Sequence, residues 1–280
     1  MKGEEFEFLA SLLKRGSGLS LTTEKSELIT SRLKAVAERH GFATIPALVQ
    51  ALRSGNEPLA RSVIEAATTR DTSFFRDPVT FDALRDQILP VLLRARSPNR
   101  RLRIWCAAAA TGQEPYSLAM IIDEMPQFVD WEIQILATDV SAEAIERART
   151  GLFSEAEVQR GLPMRMLAKY FRKETAGWRI ADDLRNRVQL RVFNLMESFA
   201  GLGIFDVIFC RNVLMYLDAA TKSDILERLG DSLAADGYLV LGAAETILGA
   251  SNSFAVLPKL RGITMKTRRM QDLRSAGMRQ

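Results

Sequence analysis

Residues 101–116 read RLRIWCAAAATGQEPY, and the order of side chains in that stretch sets the fold. Leu102 to Ala107 is an apolar run of strand length, Ala108 to Gly112 is a loop of small residues, and Pro115 stands in the first turn of a helical pattern that continues from Tyr116 to Met125. A strand passing through a small-residue loop into a helix is the opening unit of a parallel α/β sheet. The alternation continues C-terminally. Glu132 to Thr138, Phe205 to Cys210 and Tyr238 to Gly242 are short apolar runs, with helical patterns at Ser141 to Arg149 and Ala219 to Ala234 between them. A doubly wound, mostly parallel sheet is predicted, and strand-like residues from Phe254 to Met265 suit an antiparallel edge.

One stretch departs from the alternation. Between Gly151 and Val192, the patterns at Leu167 to Arg172, Gly177 to Ile180 and Val188 to Val192 predict a helix and then a small antiparallel ribbon, an inserted β-subdomain over about 155–190. It either carries recognition or is an ordinary long connection.

Toward the N-terminus the texture is helical. Phe6, Leu9, Leu12 and Leu13 recur at helical spacing, as do Leu28, Ile29, Leu33 and Val36. Thr44, Asn56 and Asp77 stand at N-cap positions, with Pro46, Pro58 and Pro78 in the turns that follow. These signals predict an all-α domain over 1–93, a linker over 94–100 containing Ser97-Pro98-Asn99, and a sheet domain over 101–280.

Composition narrows the chemistry. At 47% hydrophobic and 26% charged, the 280 residues describe a folded chain rather than a disordered one. The apolar runs stop well short of the ~20 residues a membrane helix needs, and charged residues interrupt the first thirteen, so the expected location is cytoplasmic, without membrane insertion. Cys106 and Cys210 are the only cysteines, too few for a disulfide framework or a cysteine-rich zinc site, and no metal site is expected. His40 is the single histidine and falls in a helical stretch, which removes the histidine relays of hydrolases. Residues 258–280 hold seven Lys or Arg against one acid, a basic tail read as solubilising rather than as a nucleic-acid arm.

Ligands of an open α/β sheet bind beyond the carboxyl ends of its strands. The loop before Pro115 lets a ligand approach the backbone, but GxGxxG and GxxxxGK[ST] are both absent. Glu114 at the loop's end repels phosphate and favours a cation. Asp139, at the end of the second strand, suits a ribose diol, or equally an N-cap for the helix at Ser141. S-adenosylmethionine has the required parts: a ribose, a sulfonium cation and no phosphate. Arg211-Asn212 and Asn194-Leu195 also lie just beyond strand ends, although either asparagine suits a helix cap or a turn.

The least generic segment is Thr68-Thr69-Arg70-Asp71-Thr72-Ser73-Phe74-Phe75-Arg76-Asp77-Pro78. With RIW and TGQEPYSLAM, the ATD run, NL at Asn194, FDVIFCRNVLMY and GYLVLGAAET, the chain from Leu12 to Gly262 resembles the CheR-type chemoreceptor glutamate methyltransferases. The resemblance implies a helical N-terminal domain joined to an S-adenosylmethionine-binding sheet with an inserted β-subdomain. It implies methylation of glutamate side chains on the cytoplasmic helical domain of methyl-accepting chemotaxis receptors, with methyl esters and S-adenosylhomocysteine as products. Matched motif by motif, the donor contacts are Arg70, Thr72, Arg76, Glu114, Asp139, Asn194 with Leu195, and Arg211 with Asn212. The chain departs from the family's pattern in three places: Arg70 stands where asparagine is frequent, Ala109-Ala110 replace serine or cysteine, and Gln113 replaces a frequent glutamate.

A glutamate acceptor, with an ordinary pKa of about 4.3, is already ionised at neutral pH and needs no general base. Arg76 is the candidate clamp for a carboxylate, of donor or acceptor, and Tyr216 either orients the acceptor through its hydroxyl or packs in the core. Lys25, Arg32 and Arg39 repeat every seven residues on the arc of Leu28, Ile29 and Val36, a cationic stripe suited to an acidic receptor helix. The expected protein is a monomer with a receptor partner and no nucleic acid. Two rival readings are a methyltransferase for a small molecule or RNA, and a sensor that binds the donor without transferring its methyl group.

Overall fold

The computed structural model describes residues 3–22, 26–69, 71–257, 260 and 262–266. Lys25, Arg70 and most of the basic tail lie outside the described residues.

Four helices open the chain: α1 (Gly3–Ser17), α2 (Ser26–Arg39), α3 (Ile45–Arg53) and α4 (Glu57–Ala67). They share one apolar cluster around Leu9, Leu13, Leu33, Leu48 and Val63, all fully buried. The Thr44 hydroxyl accepts from the Ala47 N–H at 3.3 Å and the Asn56 side chain from the Leu59 N–H at 3.1 Å, so both predicted caps form. Leu28, read with the apolar face of α2, is exposed.

The next helix is continuous but uneven: α5 (Pro78–Ala83), a π turn over Leu84–Ile88, and α6 (Leu89–Arg96). Pro90 lacks an N–H and its ring crowds the carbonyl four residues back, which accounts for the widened turn. This helix was expected in the N-terminal domain. Instead Phe81, Leu84, Ile88 and Leu92 share a cluster with Leu102 and Ile104 of the sheet, whereas the helical cluster ends at Ala67. Its local pattern signals a helix but not which surface covers it.

The sheet domain runs β1 (Arg101–Cys106), α7 (Gln113–Asp123), β2 (Glu132–Asp139) and α8 (Ala142–Thr150). Then come β3 (Leu152–Phe153), α9 (Glu155–Gln159), α10 (Met164–Tyr170), β4 (Phe171–Glu174), β5 (Gly177–Ile180), α11 (Asp182–Asn186) and β6 (Val188–Val192). The chain closes with β7 (Phe205–Cys210), α12 (Ala219–Asp231), β8 (Leu233–Leu241), β9 (Phe254–Val256) and β10 (Ile263–Lys266). Seven strands form one sheet in the order β6-β2-β1-β7-β8-β10-β9. The first five are parallel, and β10 and β9 add the predicted antiparallel edge. Successive connections step outward from β1 to β2 and β6, then return to β7 on the other side, which opens a crevice between β1 and β7.

Alternation assigns the two faces. Leu102, Ile104 and Cys106 join the cluster under α5 to α7, and Trp105 and Ala107 join the opposite one with Phe205, Ile208 and Cys210. Val188–Val192, expected in the antiparallel ribbon, is instead β6, paired in parallel with β2 from Ile135↔Val188 to Asp139↔Val192. As an edge strand it buries only Val188 fully, so its sequence resembles an exposed hairpin strand. The small sheet is made of β3, β5 and β4 in that order.

The insertion packs closely on the segment before α5. Phe74 meets Phe153 and Phe171 edge to face at 4.9 and 5.6 Å. Gly161, at φ +90, lies so near that a Cβ there would sit 2.2 Å from the Phe74 carbonyl oxygen.

Polar contacts pin the insertion from the other side, where Glu124 accepts from Tyr170 at 2.8 Å and pairs with Arg165 at 2.6 Å and with Lys169. The Glu124 carboxyl is held at about 2 against an ordinary 4.5, chiefly by the Lys169 hydrogen bond and then by the Tyr170 hydroxyl. The folded chain therefore binds this proton less readily than the unfolded chain; the stabilisation is present above about 4.5 and lost as pH falls toward 2. Glu124→Gln is expected to lower the melting temperature near neutral pH, with the gap to wild type closing through that acid range. Thermal melts at stepped pH measure both.

Candidate active site

A cleft lies at the crevice between β1 and β7. Six chain segments reach it, five of them carrying residues named from the sequence. Thr72 and Arg76 come from the joint before α5, Ala110 and Glu114 from the loop after β1, and Asp139 from the end of β2. Asn194 and Leu195 follow β6, while Arg211, Asn212 and Tyr216 follow β7. The structure thus gathers every described donor-site residue named from the sequence. It adds Ser17 and Leu19 from the end of α1, for which the sequence offered no signal because their place depends on long-range docking.

Arg211 braces the cleft. Its guanidinium, almost wholly buried, donates to Glu114 at 3.0 Å, to Asp77 at 2.6 Å and to the Arg76 carbonyl at 2.8 Å. One side chain therefore joins the end of β7, the start of α7 and the joint. Its Nε is buried with no hydrogen-bond partner among the described groups. Burial pushes the Glu114 carboxyl above the ordinary glutamate range, and the neighbouring Arg211 charge opposes that rise. Asp77, expected to cap α5, makes no side-chain cap bond, because its carboxylate is turned onto Arg211.

The same region concentrates unusual backbone. Phe75, Asp77, Ala110 and Asn212 all have φ between 47° and 59°, the left-handed region that non-glycine residues rarely occupy. At three of them a side chain captures the backbone N–H. Ser117 accepts from Phe75 at 3.0 Å, Asp139 from Ala110 at 2.9 Å, and Glu245 from Asn212 at 2.7 Å. Ser117 and Glu245 lie outside the residues named from the sequence, although Glu245 belongs to the quoted GAAET motif.

Other candidates are held by the protein itself. Arg76 donates to the Asp71 carbonyl at 2.6 Å and pairs with its carboxylate at 3.5 Å. The Asp71 carboxyl is lowered first by the Arg160 hydrogen bond and charge, and then by Arg76. Asn194 donates to the Gly16 carbonyl and accepts from Met196, so it joins the sheet edge to α1. Tyr216 accepts the Ser20 N–H on its backbone oxygen at 2.8 Å. Arg32 donates to the carbonyls of Ala67 and Thr68 at 3.0 and 2.9 Å, closing the end of α4, whereas Arg39 is exposed.

The cleft's charge disfavours a polyphosphate. Asp71, Glu114 and Asp139 line it against two cations, Arg76 and Arg211, both already paired with carboxylates. His40 is remote from the cleft, hydrogen-bonded to Ser62 in the helical domain, and among the described residues no cluster of His, Cys, Asp or Glu suits a metal ion.

Residues 70–263 match the family model described as CheR methyltransferase, SAM binding domain, and residues 4–68 match CheR methyltransferase, all-alpha domain. The chain belongs to the CheR methyltransferase family. Chemotaxis protein methyltransferase Cher2 of Pseudomonas putida is 37% identical over 265 residues, covering 92% of this chain and 96% of its own. Chemotaxis protein methyltransferase 1 of Pseudomonas aeruginosa is 37% identical over 269 residues, covering 94% and 98%. The chemotaxis protein methyltransferase of Salmonella typhimurium is 30% identical, covering 93% and 88%. The two matched domains meet between residues 68 and 70, where the helical cluster also ends.

S-adenosylmethionine fits this CheR cleft on the chemistry of its lining. Asp139 accepts one backbone N–H on each oxygen, from Ala110 and Ser141, both at 2.9 Å. That carboxylate lines the cleft at the end of β2, where a ribose diol is hydrogen-bonded in a nucleoside-binding sheet. Arg211→Ala leaves Glu114 buried beside no cation and is expected to destabilise the fold by about 3 kcal/mol, with loss of S-adenosylhomocysteine binding. Arg211→Lys retains the charge but not the fork and is expected to fold while binding more weakly. Denaturant unfolding and titration calorimetry measure these effects.

Proposed function

We propose that this CheR-family methyltransferase esterifies glutamate side chains on the cytoplasmic helical domain of chemotaxis receptors. The observation that carries the reading is the match to chemotaxis protein methyltransferases across both domains. The chemistry of the cleft agrees with it. When bound, S-adenosylmethionine supplies a methyl carbon already activated on sulfonium. A glutamate acceptor is ionised at neutral pH, so the protein has only to bind, orient and exclude water. No histidine lines the cleft, and none is needed for that task.

The walls suit the task. Leu19, Val140, Phe193, Leu195, Val213 and Leu217 supply apolar surface that keeps water from the reacting atoms. Thr72, Glu114, Asp139, Asn194, Leu195, Arg211 and Asn212 form the donor side. Arg76 is held beside the cleft by Asp71, in position to clamp a carboxylate through two N–H groups. Tyr216, at the end of the turn after β7, orients the acceptor. Arg39, exposed on α2, serves an acidic receptor helix, and Arg32 holds the end of α4 beside it. Among the described residues no helix is long and apolar enough to cross a membrane.

Incubation with labelled methyl donor and receptor-containing membranes is expected to leave base-labile label on the receptor. Label on RNA, or none on protein, would overturn the proposal. Asp139→Ala and Arg76→Ala are expected to weaken donor binding severely, and calorimetry with wild-type affinity in both would reject the donor assignments. Arg39→Glu is expected to reduce receptor methylation severalfold while donor affinity stays at the wild-type value, which paired rate and binding measurements would reveal.

A further inference from the structure

Beyond the cleft lining, one carboxylate holds an unusual set of donors. Glu245 follows β8 and is half-buried behind the segment that carries Arg211 to Tyr216. One of its oxygens accepts the N–H of Asn212 at 2.7 Å and of Gly242 at 2.8 Å. The other accepts the N–H of Val213 at 3.0 Å and of Met215 at 3.3 Å. Four backbone donors thus converge on a single side chain.

The fit is built from both partners. A Cβ at position 242 would lie 2.9 Å from a Glu245 carboxylate oxygen and 2.7 Å from the Asn212 amide nitrogen, so glycine allows this approach. Asn212 has φ 57, a left-handed conformation in which its N–H meets the carboxylate. Without an anion, several N–H groups would point at one another and the turn would lose the contact that favours this strained arrangement. Arg211, Asn212, Val213 and Tyr216 all line the cleft, while Glu245 is absent from its lining.

We infer that Glu245 is a positioning residue for methyl transfer: its carboxylate fixes the turn after β7 and so sets the donor-binding and acceptor-orienting side chains together. The inference rests on the donor site described above and not on the identity of the acceptor. Glu245→Gln keeps the volume but replaces one oxygen with an NH2 group that faces donors. It removes half of the acceptors, and loss of charge-assisted hydrogen bonds of this kind is expected to weaken S-adenosylhomocysteine binding by about tenfold or more. The methylation rate at saturating donor is expected to fall as well, because Tyr216 shares the turn.

Glu245→Ala supplies a sharper readout. The atoms it deletes correspond to acetate, so added acetate, but not chloride, is expected to recover binding. Leu48→Ala, in the remote helical core, serves as a control that lowers stability without touching the turn. Titration calorimetry and melting temperatures on all four proteins decide the matter. Wild-type affinity in Glu245→Gln, or a loss that merely tracks melting temperature as in Leu48→Ala, overturns the inference. A wild-type protein that does not bind S-adenosylhomocysteine at all would count against the donor site itself, and the inference would fall with it.

Discussion

A guanidinium buried at the end of a central strand must find anions, because an isolated charge in a dry interior is prohibitively costly. Arg211 meets that demand by drawing Asp77 and Glu114 to it, together with the Arg76 carbonyl. These partners come from two separate stretches of chain, the joint and the start of α7, and their convergence on the end of β7 defines the inner wall of the cleft. Glu114 is equally constrained, since burial without the arginine would favour its neutral form. The pair is therefore less a source of stability than a condition on geometry. The strand end, the helix start and the joint fit together in the arrangement that satisfies both charges.

Strain is distributed around this brace in a consistent way. The left-handed residues Phe75, Ala110 and Asn212 each donate their N–H to a side chain from another segment. A conformation that costs free energy locally persists where its surroundings over-determine it. Here the surroundings are Ser117, Asp139 and Glu245, and two of the three are carboxylates that accept more than one N–H. The chain's own contacts hold the walls of the cleft in place, which limits the ordering cost of binding.

Much of this was legible in the sequence. The strand ends announced Glu114, Asp139 and Arg211, because short apolar runs alternating with helical patterns locate the edge of a sheet and small residues mark where backbone is exposed there. The all-α domain and the mostly parallel sheet followed from the same periodicities. What stayed hidden depended on partners far along the chain. Asp77 looked like a helix cap, since a local pattern does not reveal an arginine 134 residues later. Val188–Val192 looked like a ribbon strand because an edge strand alternates as a hairpin does. The helix over 78–96 was recognisable as a helix, but the sheet that covers it was not. Glu245 sat in plain view within a motif, yet its four donors become apparent only when the turn after β7 is folded against it.

The end of α1 bears on how the two domains relate. The Ser20 N–H donates to the Tyr216 carbonyl, Leu19 pairs with Leu217 as an isolated β-bridge, Lys14 meets Asp218, and Asn194 holds the Gly16 carbonyl. Ser17 and Leu19 in turn form part of the cleft. The helical domain is consequently a wall of the cleft as well as a neighbour of it. A chimera that grafts the helical domain of one relative onto the sheet of another inherits a seam in the middle of the cleft, and matching that seam matters as much as matching the cores.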